Sequence, residues 1–200
     1  MYNTFFEEAP SIHRLRIPFE AIYTPVFLVE TENVKILVDC GASARDVDEH
    51  IIPALLAHGV ALSAVSMLVL THKHGDHAGG LFRVLELAPH VKVITDVCQI
   101  TGGIVTYPMA GHTKDCIGVL DEARGTLITG DGLQGAGVDR YRCYTQDPDG
   151  YLATIERIRA DARIKAFLFS HAYEPFYTDR IAGRTAVLDC LAKCVEYVKR

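Results

Sequence analysis

Apolar residues along this chain fall in short runs, several of them alternating with polar positions, and most runs close on glycine, proline or a polar cluster. Alternation is the period of a half-buried strand, whereas an apolar residue every third or fourth position marks one face of a helix. On the first criterion residues 12–17, 26–30 and 34–39 are predicted strands, with Thr31, Glu32 and Asn33 turning the second into the third. Ser43 is placed to cap a helix running to about residue 58, with Val47, Ile51, Leu55 and Leu56 as its apolar face and Gly59 as its C-terminal cap. Pro53 lies inside that helix and is expected to bend it. A strand at 65–70 follows, then a polar loop, and a helix at 81–88 preceded by Gly79 and Gly80, which allow backbones to approach closely.

The second half repeats the mixture. Residues 91–95, 104–109, 116–120, 126–129 and 165–169 read as strands. Asp147 followed by Pro148 is a helix start, a capping carboxylate and then a residue whose missing N–H costs nothing in the first turn, for a helix at 149–160. Thr178 or Asp179 caps a last helix whose inward stripe is Ile181, Leu188, Leu191, Ala192 and Val195. Two β-rich halves, each followed by helix, suit an α/β architecture with two sheets packed face to face and helices outside.

Composition narrows the class. With 200 residues, 49% hydrophobic and 22% charged, the chain is read as a single domain over 1–200 with enough apolar surface for a full core. No window approaches a membrane-spanning length and the first residues do not resemble a secretion signal, so a cytoplasmic location is expected. The net charge of −5 and the lack of a Lys/Arg stripe argue against nucleic-acid and membrane partners and for a small-molecule substrate. None of the six cysteines is spaced as a CxxC pair, and free thiols are expected. Oligomeric state is not written in these features.

The chemistry concentrates in Thr71-His72-Lys73-His74-Gly75-Asp76-His77, directly after the predicted strand 65–70. Imidazole and carboxylate are the donors that zinc, iron and manganese accept, and a strand ending in a tight turn can aim such side chains at two adjacent ions. Three downstream segments each present a further donor at the end of an apolar run: Gly111-His112-Thr113, Gly130-Asp131-Gly132 and Ser170-His171. Singly, each of these would be an ordinary turn or a satisfied histidine. Together they match the first motif. The remaining histidines, His13, His50, His58 and His90, are read as surface or structural residues.

This order, HxHxDH and then His, Asp and His, with Leu37-Val38-Asp39-Cys40-Gly41 upstream, resembles the metallo-β-lactamase fold superfamily, in particular its glyoxalase II-like and lactonase-like hydrolases. The resemblance implies a four-layer αββα sandwich with two facing mixed sheets and helices outside. It also implies two divalent metal ions, zinc first, with iron or manganese as alternatives. One ion would be held by His72, His74 and His112, the other by Asp76, His77 and His171, with Asp131 and a hydroxide shared between them. Two dications need such anionic bridging to offset their repulsion. Asp76 and Asp131 would take part in catalysis, and Asp39, Thr71 and Thr113 would orient the imidazoles from behind.

The activity implied is hydrolysis of an ester, lactone or thioester carbonyl by the metal-bridging hydroxide. Rival readings are an iron-dependent persulfide dioxygenase with one metal, and a non-catalytic metal-binding protein on the same scaffold. The long connection 132–146 follows the shared aspartate, and Arg140, Tyr141, Arg142 and Tyr144 within it, with Tyr173 beyond His171, are candidate substrate contacts.

Overall fold

A computed structural model of the chain describes residues 3–20, 22–133, 145–171 and 179–198. The chain divides into two compact units, Met1–Thr95 and Asp96–Arg200.

In the first unit six strands form one sheet in sequence order: β1 (Phe6–Ala9), β2 (Ile12–Phe19), β3 (Ile22–Glu30), β4 (Lys35–Val38), β5 (Met67–Val69) and β6 (Lys92–Ile94). β1 to β4 are joined by short turns and pair antiparallel, whereas β4, β5 and β6 run parallel. A parallel pair requires a crossover, and the helices supply it. Alternate residues of β2 and β3, Leu15, Ile17, Val26 and Leu28, share a core with Leu37, Leu68 and the helical Val47, Ile51, Leu55 and Val84.

The helix expected to run from Ser43 begins as α1 (Ala44–Asp46), where the Ser43 side chain accepts from the Asp46 amide. It continues through a π turn, Val47–Ile51, into α2 (Ile52–Ala57). Proline has no N–H to donate to the preceding turn, and the widened turn lies directly ahead of Pro53, the residue expected to bend the helix. Leu56, read as part of the buried face, is 61% exposed, and Ala54 takes its place in the core. Gly59, at φ +80°, closes the helix as expected, and two further short helices, α3 (Gly75–Ala78) and α4 (Leu81–Leu87), lie between β5 and β6. β1 arises from a segment too polar to register as a strand by pattern.

In the second unit the sheet order is β12-β11-β10-β9-β8-β7, with β7 (Gln99–Thr101), β8 (Ile104–Pro108), β9 (Ile117–Asp121), β10 (Thr126–Ile128), β11 (Ala166–Leu168) and β12 (Arg180–Ala182). Among the described strands of this sheet only β10 and β11 pair in parallel, with the helix α5 (Pro148–Ala160) between them in the chain. Tyr151, Ile155 and Ile158 of α5 pack with Phe167 and with Val187 and Leu191 of the last helix, α6 (Arg184–Val198).

The C-terminal helix starts later than its sequence pattern suggested. Ile181 belongs to β12, opposite Phe167, and Gly183 at φ +98° breaks the chain before α6. Ala192 is exposed, so the buried stripe is Val187, Cys190, Leu191 and Cys194. The expected class holds: an α/β fold built of two mixed sheets with helices.

Candidate metal centre

Parallel strands deliver their C-terminal ends to the same sheet edge, and in the first unit that edge carries the ligand loop. The ladder between β4 and β5 continues one step past both strands, where the Asp39 amide donates to Val69 O at 2.8 Å. Asp39 then adopts φ +63°, a left-handed conformation uncommon outside glycine but better tolerated by Asp and Asn. The reversal aims its carboxylate at the residues following β5. Oδ1 accepts from the Thr71 amide at 2.8 Å, and Oδ2 accepts from the Thr71 hydroxyl at 2.9 Å and from His77 Nδ1 at 2.7 Å.

This network assigns protons. A carboxylate only accepts, so His77 carries its hydrogen on Nδ1 and leaves Nε2 with a lone pair. The Thr71 hydroxyl has spent its proton on Asp39 and so accepts from His72 Nδ1, 3.1 Å away, which puts the proton of His72 on Nδ1 as well. Nε2 of His72 stands 3.1 Å from Nδ1 of His74, and Nε2 of His77 stands 3.4 Å from Asp76 Oδ2. Asp39, His72 and His77 are buried, while His74 and Asp76 are half-buried.

Two residues whose role sequence reasoning missed brace the loop, one from β3 and one from the segment after β4. Thr24 of β3, fully buried, donates its hydroxyl to Asp76 O at 2.8 Å. Cys40 donates its amide to His77 O at 2.8 Å and its thiol to the same oxygen at 3.3 Å. Burial, and next the Asp39 carboxylate, push that thiol up to about 12, so it keeps its proton and remains a donor. The loop returns through Gly79 and Gly80, where an added Cβ would lie 2.0 Å from Ala42 O and 2.2 Å from Cys40 O. The close approach expected of this glycine pair is therefore a backbone contact with the segment following Asp39.

In the second unit the same logic gathers three donors. β8, β10 and β11 all point one way, β9 being the antiparallel member between β8 and β10. Their C-terminal ends lead to His112, to Asp131 on the 3-10 turn Gly130–Gly132, and to His171. All three are buried, and Nε2 of His112 and Nε2 of His171 each lie 3.5 Å from Oδ2 of Asp131. The segment leading into α5 and the helix itself hold the His112 turn: the Asp147 amide and the Thr145 hydroxyl donate to Gly111 O at 3.0 and 2.6 Å, and Thr154, within the helix, donates to Ala110 O at 2.8 Å. The Thr113 hydroxyl, expected behind an imidazole, donates instead to Asp115 Oδ1 at 2.7 Å.

The donor set fits a borderline divalent ion. Two ligands bonded at about 2.0–2.1 Å to a tetrahedral ion stand roughly 3.3 Å apart. The spacings of 3.1, 3.4 and 3.5 Å within each unit bracket that value. Arg140, Tyr141, Arg142, Tyr144 and Tyr173, the candidate substrate contacts, lie outside the described residues.

Comparison with known proteins agrees with this chemistry. The model of the metallo-beta-lactamase superfamily matches residues 21–97, the stretch that contains Asp39 and the first ligand motif. The fold is shared with the metallo-beta-lactamase FIM-1 of Pseudomonas aeruginosa, solved in its mono-zinc form, at a TM-score of 0.71 and 19% identity over 96% of this chain and 94% of that one. A metallo-beta-lactamase family protein of Thermus thermophilus superposes with a TM-score of 0.71 and 16% identity, covering 95% of this chain and 80% of that one. Residues 21–97 are thus similar to the metallo-beta-lactamase superfamily, and the fold of the chain is the one these solved structures share.

Among curated relatives, the lactamase-like protein notP of an Aspergillus species is 32% identical over 57% of this chain and 40% of its own length. An atrochrysone carboxyl ACP thioesterase of Pseudocercospora fijiensis is 27% identical over 74% of this chain and 47% of its own length. The chain thus spans about half the length of these relatives.

Proposed function

We propose that this protein is a metal-dependent hydrolase that attacks the carbonyl carbon of an ester, lactone or thioester and breaks its acyl–oxygen or acyl–sulfur bond, with a thioester as the first candidate. The observation that carries the reading is the buried Asp131 carboxylate, on which His112 and His171 both converge through Nε2. His72, His74 and His112 would hold one divalent ion, zinc by preference, and Asp76, His77 and His171 a second, with Asp131 serving both. When bound, such a pair supplies a hydroxide nucleophile near neutral pH and an electrophile for the carbonyl oxygen.

The chain's own residues prepare the donors. Asp39 and Thr71 keep the protons of His77 and His72 on Nδ1, so that Nε2 is the nitrogen each would offer to an ion without a change of tautomer. Asp76 and Asp131 bring negative charge to offset the ions. Thr24 and Cys40 pin the loop backbone at Asp76 and His77, so the donors need not be ordered anew when substrate arrives. The thioesterase relatives favour an acyl thioester among carbonyl substrates. The net charge of −5 favours a small molecule over a nucleic acid.

The test is metal analysis of protein purified without chelators, followed by assays on acyl thioesters, lactones, esters and a phosphodiester. Thioester or lactone turnover, abolished by chelation and restored by zinc, is expected. Asp131→Ala should lose most of the second metal equivalent and, at several kcal/mol of lost stabilisation, about 10³-fold or more in kcat/KM. Stoichiometric iron with oxygen uptake and no hydrolysis would replace this reading with the persulfide dioxygenase one.

A further inference from the structure

Away from the ligand loop, the first unit gathers a second set of metal-type donors from three separate elements. His13 lies near the start of β2, Glu30 ends β3, and His58 is the C-cap of α2. Nε2 of His13 is 3.2 Å and Nε2 of His58 is 3.0 Å from the same oxygen, Oε2 of Glu30. The two imidazole rings pack at 4.4 Å between centroids, and the donor atoms all lie within 4.8 Å of one another. We propose that His13, Glu30 and His58 form a distinct site for a single divalent transition-metal ion, zinc or a similar imidazole-binding ion, that clasps the β2–β3 hairpin to the end of α2.

The positions are set by backbone rather than by long free side chains. His13 pairs in register with Leu28, and the Glu30 amide donates to Ser11 O at 2.9 Å, so the two strand ends cannot slide apart. The His58 amide donates to Ala54 O at 3.0 Å as the helix closes, and its ring is backed edge-on by Phe5 at 6.0 Å. Lys35 Nζ lies 3.5 Å from Oε1 of Glu30, which steers that oxygen outward and leaves Oε2 to face both imidazoles.

The donor chemistry is two neutral nitrogens and one carboxylate oxygen, a set that suits zinc, copper or nickel better than calcium or magnesium. Three protein ligands leave a tetrahedral ion one position for water. The side chains are 12%, 25% and 25% exposed, which allows an ion to enter from solvent. Because ligands at 13, 30 and 58 are distant in an unfolded chain, binding here would appear as added stability of the fold.

The cluster is also a complete hydrogen-bonded triad if each imidazole donates to Glu30, so the experiment must separate a clasp from a triad. Full-length protein stripped by chelator is titrated with Zn²⁺ and, for its visible spectrum, with Co²⁺, with bound metal counted by elemental analysis. His58→Gln and Glu30→Gln should each bind about one equivalent less than the unsubstituted protein, lose part of the zinc-induced rise in Tm, and keep thioester turnover.

A His72→Ala/His74→Ala variant controls for the ligand-loop site: it should retain the equivalent that His58→Gln loses. The use of two clasp variants guards against one that fails to fold, which circular dichroism would reveal. Unchanged stoichiometry and Tm response in His58→Gln and Glu30→Gln would mean a hydrogen-bonded cluster only and would overturn the proposal. These readouts stand whether or not the protein hydrolyses a thioester.

Discussion

Asp39 does more than any residue outside the ligand set, because one carboxylate fixes two imidazoles and a backbone turn. It accepts three hydrogen bonds, from the amide and hydroxyl of Thr71 and from His77 Nδ1, while itself buried. An asparagine has one acceptor oxygen in place of two, so Asp39→Asn must turn an NH₂ toward at least one donor. The loss of a charge-assisted bond of about 1.5–3 kcal/mol is expected. Metal affinity should fall roughly 10–100-fold, as it does when a group orienting a ligand imidazole is removed. Competition of the variant with a chromogenic chelator measures this. Affinity equal to that of the unsubstituted protein would reduce Asp39 to a structural turn.

At the scale of elements, the His112 turn depends on the start of α5. Asp147 caps that helix by accepting from the Gly150 amide at 3.0 Å, and its own amide holds Gly111 O. Asp147→Ala should therefore cost about 0.5–2 kcal/mol of stability, the usual worth of an N-cap. Gly111 is the more sensitive position. It sits at φ +149°, and a Cβ there would lie 2.6 Å from the Tyr151 ring. Tyr151 is fully buried and has nowhere to retreat, so Gly111→Ala is expected to destabilise beyond the cap variant and to displace His112. Urea denaturation ranks the two variants, and bound metal per chain separates loss of fold from loss of a ligand. A Gly111→Ala protein as stable as Asp147→Ala would contradict the packing argument.

For the molecule as a whole, acid stability follows from carboxylates held by cations. Asp161, after the end of α5, is held below its ordinary value of 3.8, first by hydrogen bonds from the Arg163 side chain, then by the Arg163 amide and the charges of Arg163 and Arg184, against an opposing effect of burial. The unfolded chain therefore takes up this proton at a higher pH than the folded one. The contribution to stability is complete above pH 3.8 and is lost as pH falls from there through the folded-state value. Asp161→Asn should lower Tm at neutral pH and flatten the acid limb of the stability curve. Tm measured at neutral pH and below pH 3.8 should show the gap between the two proteins closing on acidification. A gap of constant size would mean the effect is one of packing rather than charge.

By itself the sequence determined what short-range chemistry can encode. The metal-type donors and their order, the caps at Ser43, Gly59 and Asp147, and most strands were legible because a cap, a turn or an alternating strand is decided within a few residues. The edge strands β1, β7 and β12 were not: each is held by pairing to a neighbour rather than by its own pattern, which is why Ile181 read as helical.

The resemblance implied Asp39 and Thr71 behind the imidazoles, but only tertiary structure decided which donor each one holds. Asp39 reaches His77 across 38 positions and Thr24 reaches Asp76 across 52, and no local signal in either segment announces the other. The same holds for His13, Glu30 and His58, two histidines read as surface or structural and one glutamate, which become one cluster only when β2, β3 and α2 have packed. A ligand type is a property of a side chain and is written in the sequence. A ligand's tautomer and direction depend on hydrogen bonds from distant strands, and these exist only in the folded protein.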